Sequence, residues 1–472
     1  MSNRENLEKL FSPDSMAIVG ASNDLDKPGG RMMNYCNKHG FPGKLYPINP
    51  KREEIMGVKA YPKIIDVPGE IDVVCIMVPR QHVESVVQDC AQKKVKYIII
   101  FSSGFAEIGN KETQENMLKV ARNAGCRILG PNCLGVISTI NKTIGSYHAC
   151  LDQEMVKGNV GLIAQSGALG GYLTTALLEK GTGISHLATV GNESDLNVNE
   201  FIRYFATDPN TKVIGMLLEG IKDGKEFIEA AKIAIKNKKP IIILKAGKSE
   251  KGRMSALTHT GAITGSDQTY DGVFKQLGII RVDTIEQLLD ISSAFSSECL
   301  PKGKRIAFIS PSGLSGSMLA DLCEEKGLEV VDFTEKTIER LKVIIPDVAV
   351  AKNPLDIVYF YGNPNIKTLI GEIIRIIADD PNVDIIISGL TVGGEIIEDV
   401  VKDSLDSINQ VRQSLNKPVL CWWTIDRNTY NGLEKKFAEN NVPLYSAPER
   451  VVLASHAMNK YSEFLKRGID EA

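Results

Sequence analysis

Short apolar runs recur along this 472-residue chain, each giving way to a turn of small or polar residues before a helical pattern starts. Met16-Ala-Ile-Val-Gly20 leads into Ala21-Ser22-Asn23 and a helix expected near residues 31–39. Further runs stand at Lys44–Ile48, 71–78, 97–101 and 126–129, with helical patterns at 83–93 and 111–124 between them. This alternation specifies a parallel, doubly wound α/β sheet, whose ligands bind at the carboxyl ends of the strands. Those ends read VGASN, INPK, VPRQ, SSGFAEIG and GPNCLG. The same strand-turn-helix series restarts at Gly158-Asn-Val-Gly-Leu-Ile-Ala164 and again at Arg305-Ile-Ala-Phe-Ile-Ser310. At roughly 150 residues per domain the chain divides into three. They are a Rossmann-like unit at 1–145 followed by two flavodoxin-like, doubly wound units at 146–300 and 301–472, the last entered through the linker Leu300-Pro-Lys-Gly303.

Composition excludes several classes of function. Net charge is −3, so no general attraction to nucleic acid or anionic membrane is expected. No apolar run reaches the roughly 20 residues of a membrane span, and the start, MSNRENLEKL, is unlike a signal peptide. Nine scattered cysteines form no CxxC pair and imply no disulfide framework. A reducing, cytoplasmic enzyme is the expectation.

The first unit lacks the dinucleotide code. Position 22 is Ser, and no third glycine completes G-x-G-x-x-G. The second strand runs into Asn49-Pro50-Lys51 where an NAD enzyme carries an acid for the ribose. A cation there suits a phosphate near a ribose, as on the 3′-phosphate of coenzyme A. The N–H groups from Gly20 to Asn23, at a helix start, suit another phosphate. The segments VGAS, YPINPK, VCIMVPR, SSGFAEIG and GPNCLGV together resemble the CoA-binding domain of the nucleoside-diphosphate-forming acyl-CoA synthetases, relatives of the succinyl-CoA synthetase alpha subunit. The resemblance implies a CoA site lined by Gly20, Ala21, Ser22, Asn23, Lys51, Val78, Pro79, Ser102 and Ser103, with Pro131 and Asn132 shaping the loop near the reactive end.

In the second unit Gln165, Ser166, Gly167 and Ala168 stand between a strand and a helix, an arrangement that suits a phosphate. A nucleophilic Ser166 is disfavoured, because AQSGA lacks the first glycine of G-x-S-x-G. Glu219 closes the run Gly215-Met-Leu-Leu-Glu219 at a strand's carboxyl end. The stretch 244–265, LKAGKSEKGRMSALTHTGAITG, holds His259 among small residues. Its GKS is not a P-loop, since Ile242 stands where the first glycine is required. QSGALG, VGNESD, LLEG and THTGA occur in the synthetase family's order, which implies that His259 carries a phosphoryl group. A carboxylate at Glu219 would orient the imidazole through its other ring nitrogen. His39, His82, His148, His186 and His456 lack such a setting and are expected to be structural or solvent-facing.

The third unit's SPSGLSG and AKNPLDIV match family loops, with an expected role in docking and in shaping the acyl site. No segment resembles an ATP-grasp domain. The resemblance therefore implies a partner beta subunit that holds ATP or ADP with Mg2+, in an alpha-two beta-two assembly. It also implies a short carboxylic acid such as acetate, CoA and phosphate as substrates. Two rivals stay open: a CoA-sensing protein without turnover, and an NAD-dependent dehydrogenase.

Overall fold

The computed structural model describes residues 7–252, 254, 266–360, 363, 365–390, 396–423 and 427–468. Residues Met1–Glu179 with Gly183–Ile285 form one compact unit, and Lys180–Thr182 with Glu286–Ala472 form another.

Among the described residues the first unit contains two large sheets and one two-stranded hairpin. One has five parallel strands in the order β2-β1-β5-β6-β7. They are β1 (Ser15–Val19), β2 (Lys44–Ile48), β5 (Val73–Ile76), β6 (Tyr97–Ile100) and β7 (Arg127–Leu129). The short hairpin β3 (Glu54–Ile55) and β4 (Val58–Lys59) lies apart. Every residue of β1, β5 and β6 is buried, as both faces of a parallel sheet require. Helices Pro28–Lys38, Arg80–Lys93 and Lys111–Asn123 follow β1, β5 and β6. The strand order reverses between β1 and β5, so the loops after Val19 and Ile76 flank one crevice.

The second sheet has seven strands in the order β14-β13-β12-β10-β11-β8-β9. They are β8 (Val136–Ser138), β9 (Thr143–Gly145), β10 (Lys157–Ala164), β11 (Ile184–Thr189), β12 (Val213–Leu218), β13 (Ile241–Lys245) and β14 (Ile280–Val282). The hairpin β8–β9 runs antiparallel and pairs with β11, so sheet membership changes at residue 136, before the boundary expected at 145. Its switch point lies between β10 and β12, where the turns after Ala164 and Leu218 face one another.

The other unit has a six-stranded parallel sheet built from β15 (Arg305–Ser310), β16 (Glu329–Val330), β17 (Leu355–Asp356), β18 (Ile385–Leu390), β19 (Val419–Trp423) and β20 (Leu444–Tyr445). The helix Ile285–Ser297 belongs to this unit, so compactness divides the chain about 15 residues before the linker at 300–303. Trp422 and Trp423 point to opposite faces of β19 and are 3% and 0% exposed, which places both in the core. Ser310, Ser312 and Ser315 hydroxyls bond one another where β15 turns into the helix Gly313–Glu325.

The loop from Val190 to Leu196 joins the first unit's two sheets. Asn192, Ser194 and Leu196 donate their N–H groups to the carbonyls of Pro131, Gly130 and Ile128 at 2.9, 3.1 and 3.0 Å. Buried Asp195 accepts from Arg122 at 2.9 Å, from Arg127 Nε at 2.8 Å and from Ile128 N–H at 3.0 Å. Burial pushes its carboxyl upward, but the Arg127 hydrogen bond and charge outweigh this and hold it below the ordinary value. Its stabilisation is therefore complete above about pH 4 and fades as pH falls through the lowered value. Asp195→Asn is expected to cost about 3 kcal/mol at neutral pH, because it breaks a buried ion pair. Urea unfolding of both proteins at pH 7 and pH 3 checks this, with the gap shrinking at acid pH.

Candidate functional site

The first crevice opens between the ends of β1 and β5. Gly20 turns the chain there with φ +91°, and a Cβ on it would stand 2.6 Å from the Met77 carbonyl. Only glycine fits this turn, which leaves the N–H groups of the following residues at the mouth of the crevice. The Asn49 side chain donates to the Ala21 carbonyl at 2.9 Å and accepts the Lys51 N–H at 2.9 Å. It thereby fastens the end of β2 to the β1 turn and puts exposed Lys51 beside it. The Asn23 side chain accepts the Met56 N–H at 2.8 Å. Across the crevice, Ser102 Oγ donates to the Val78 carbonyl at 2.5 Å and joins the ends of β6 and β5. Val78 is half-buried, while Pro79 and Ser103 are exposed. The residues expected to line a CoA site thus gather at one switch point. Lys51 supplies a cation beside the Gly20 turn.

The loop after β7 leads toward the second crevice. Asn132 has φ +60° and donates its N–H to the Ser102 carbonyl at 3.1 Å. Its side chain reaches the Asn192 side chain at 3.3 Å. Gly191, with φ +57°, passes so close that a Cβ would meet the carbonyls of Pro131 and Asn132 at 2.4 Å. Asn192 also donates to Glu107 at 2.6 Å and to Gln114 at 3.1 Å. Burial raises the Glu107 carboxyl, but the bonds from Asn192 and from the N–H groups of Gly104 and Phe105 prevail and hold it low.

The second crevice lies between the ends of β10 and β12. Ser166 and Gly167 are half-buried, Ala168 is exposed, and the helix Gly167–Glu179 starts there with its first N–H groups outside the helix ladder. Glu219 is half-buried on the facing turn. Gln165 is different. It is 5% exposed, and its Oε1 accepts the N–H of Glu219 and, at 3.1 Å, that of Gly220. Its Nε2 donates to the Gly220 carbonyl at 2.7 Å and to Glu193 at 3.0 Å. Its own N–H goes to the Leu217 carbonyl at 3.1 Å. Each donor of Gln165 is thereby taken. No N–H of Gln165 is left for the phosphate expected there.

Further residues come to the site without an expected role. Glu193 is 6% exposed, accepts the Val198 N–H at 2.8 Å, and is pushed up by burial despite nearby Lys222. Lys222 donates to the carbonyls of Asn192 at 2.6 Å and Glu193 at 3.1 Å. Lys245 ends β13 and is only 1% exposed, although the expected loop included it. It donates to the Ala246 carbonyl at 2.5 Å and lies 4.8 Å from the centre of the Tyr270 ring. Burial lowers its affinity for a proton, while Asp267 and Glu219 favour the charged form. The apolar run before Lys245 could have signalled its burial. The contacts of Glu193 and Lys222 depend on strand order. His259 lies outside the described residues.

The other histidines are accounted for as expected. His186 is buried with Asp208 at 3.1 Å, and His39 meets the Leu151 carbonyl at 2.8 Å. His148 accepts the Cys150 N–H at 3.0 Å, and His82 and His456 lie in helices. The nine cysteines are free thiols, eight of them buried. Among the described residues, no helix is long and apolar enough to cross a membrane, and no cluster of three metal-ligating side chains occurs.

Residues 14–139 match a family model described as a CoA binding domain, and residues 157–295 match one described as a succinyl-CoA ligase like flavodoxin domain. An acetate–CoA ligase (ADP-forming) II alpha subunit from Pyrococcus furiosus is 35% identical over 98% of this chain and 100% of its own length. A 4-hydroxybutyrate–CoA ligase (ADP-forming) from Nitrosopumilus maritimus is 31% identical over 97% of this chain and 64% of its own length. The solved structure of a dinucleotide-forming acetyl-coenzyme A synthetase 1 from Ca. Korarchaeum cryptofilum, in complex with phosphate and ADP, matches with a TM-score of 0.89 at 32% identity over 98% of each chain. Full-length likeness in both sequence and fold, on a chain whose two crevices stand side by side, shows that it belongs to the ADP-forming acyl-CoA ligases as an alpha subunit.

Proposed function

We propose that this chain carries the CoA-binding and phosphohistidine steps of acyl-CoA synthesis from a short carboxylic acid, acetate being the first candidate. Glu219 and the N-terminus of the helix Gly167–Glu179 face one crevice, and the Asn132–Asn192 contact joins the Ser102 end of the CoA-type crevice to the loop whose Glu193 holds Gln165. This convergence is the observation that carries the reading. The relatives named for acetate and for 4-hydroxybutyrate support a short acid. The division of labour follows the three stretches 1–145, 146–300 and 301–472.

In the thioester-cleaving direction, a phosphate oxygen attacks the acyl carbon and the C–S bond breaks. CoA leaves as thiolate and takes up a proton. Backbone N–H groups of Ser166, Gly167 and Ala168 hold the phosphate, with the positive end of the helix dipole favouring its charge. A ring nitrogen of neutral His259 then attacks phosphorus, and the bond to the acyl oxygen breaks to release the carboxylate. Glu219 accepts the proton of the other ring nitrogen, fixes the tautomer and stabilises the charge that forms. The His259 segment then presents its phosphoryl group to ADP on an ATP-grasp beta subunit. A Mg2+ bound there would offset phosphate charge. On the CoA, the Gly20–Asn23 turn holds pyrophosphate and Lys51 holds the 3′-phosphate, with Val78, Pro79, Ser102 and Ser103 along the crevice. An alpha-two beta-two complex in a reducing cytoplasm fits this scheme.

The complex with its ATP-grasp partner is expected to make acetyl-CoA from acetate, CoA and MgATP, releasing one ADP per thioester. Release of AMP and pyrophosphate, or CoA binding without turnover, would contradict the reading. Lys51→Ala is expected to weaken CoA about tenfold, the worth of one charge-assisted hydrogen bond, and to leave 3′-dephospho-CoA unaffected. Calorimetric titration with both ligands checks this, and an equal loss for the two would remove Lys51 from the 3′-phosphate.

A further inference from the structure

We propose that Gln165 is a positioning residue for phosphoryl transfer: its carboxamide fixes the Glu219–Gly220 turn, and Glu193 fixes the carboxamide. The inference rests on the role proposed for Glu219.

The ladder between β10 and β12 ends with the pair Ala164 and Leu217. One residue further the backbones part, because each chain turns away toward its own helix. The Gln165 carboxamide takes the place of the next peptide. It offers an acceptor to the N–H groups of Glu219 and Gly220 and a donor to the Gly220 carbonyl at 2.7 Å. The turn is thus held in the manner of a strand, although it lies beyond the sheet. Its far side is held separately, since the Ile221 N–H donates to the Tyr270 hydroxyl at 3.3 Å. The remaining Nε2 hydrogen of Gln165 goes to Glu193 at 3.0 Å, which selects one of the two carboxamide orientations. Glu193 is fixed in turn by the Val198 N–H at 2.8 Å, at the start of the helix Val198–Thr207. Lys222 ties the carbonyls of Asn192 and Glu193 to the segment that follows the turn.

This pattern demands a carboxamide. A glutamate at 165 would keep the acceptors but lose both donors, and would set a carboxylate against the Gly220 carbonyl and Glu193. An alanine would leave two N–H groups and a carbonyl of the turn without their partner. In either case the turn is free to shift by a fraction of an ångström. Displacement of that size at a reacting centre costs rate without requiring that the fold be lost.

The test is a double-mutant cycle on the purified complex, using MgATP labelled on the terminal phosphate. The readout is the single-turnover rate of label transfer to this chain. Gln165→Ala and Gln165→Glu are expected to slow transfer ten- to a hundredfold, with CoA affinity close to wild type and a cooperative melting transition retained at a lowered temperature. In a Glu219→Ala background the Gln165 changes are expected to slow transfer less than twofold further, because their effect runs through Glu219. Wild-type transfer rates in both Gln165 variants, or full additivity with Glu219→Ala, would overturn the inference. A variant that slows transfer only in step with a lost melting transition and lost CoA binding would also overturn it, as a structural role. If wild-type chain takes no label beside an ATP-competent partner, the proposed function itself fails, which is a separate outcome.

Discussion

The Val190–Leu196 loop is held from two sides, and the arrangement of both crevices depends on that. On one side Asp195 and the N–H groups of Asn192, Ser194 and Leu196 bind it to β7 and the residues just after it. On the other side Glu193 meets Gln165 at the end of β10. A buried carboxylate with three strong donors is costly to create and costly to break, so it serves as a fixed joint. Through it the ends of two separate sheets stay in register. Reactions that carry a group from one bound substrate to another need this constancy, because proximity is effective only when the geometry is maintained.

Much of the architecture was legible because parallel strands are buried on both faces. Runs such as Ser15–Val19 and Tyr97–Ile100 need no partner to be recognised as strands. The glycine-bearing turns after them were equally legible, and with them the Gly20 turn and the Ser166–Ala168 segment. What escaped is what depends on strand order. The hairpin at 136–145 joined the second sheet because β8 pairs with β11, a pairing set by distant residues. Gln165 looked like a phosphate ligand because it sits beside Ser166 in a Gly-rich turn. Only the adjacency of β10 and β12 turns its amide toward the Glu219 turn instead.

Lys245 illustrates a different limit. The stretch after Leu244 is rich in Gly, Ser and Lys, which reads as an exposed loop. Yet Lys245 pairs in the sheet through Leu218 and is nearly inaccessible. Lys245 lies against the Tyr270 ring, where burial lowers its affinity for a proton while Asp267 and Glu219 favour the charged form. Composition averages over such a residue, whereas register singles it out.

The central claim is that phosphate passes covalently through His259 of this chain. The direct measurement is chemical: the complex is incubated with terminal-labelled MgATP, and the label on this polypeptide is tested for stability. The account predicts an acid-labile, base-stable phosphate that maps to a peptide containing His259, is discharged by ADP, and is absent from His259→Asn. Label that survives acid, maps elsewhere or persists in His259→Asn would contradict it.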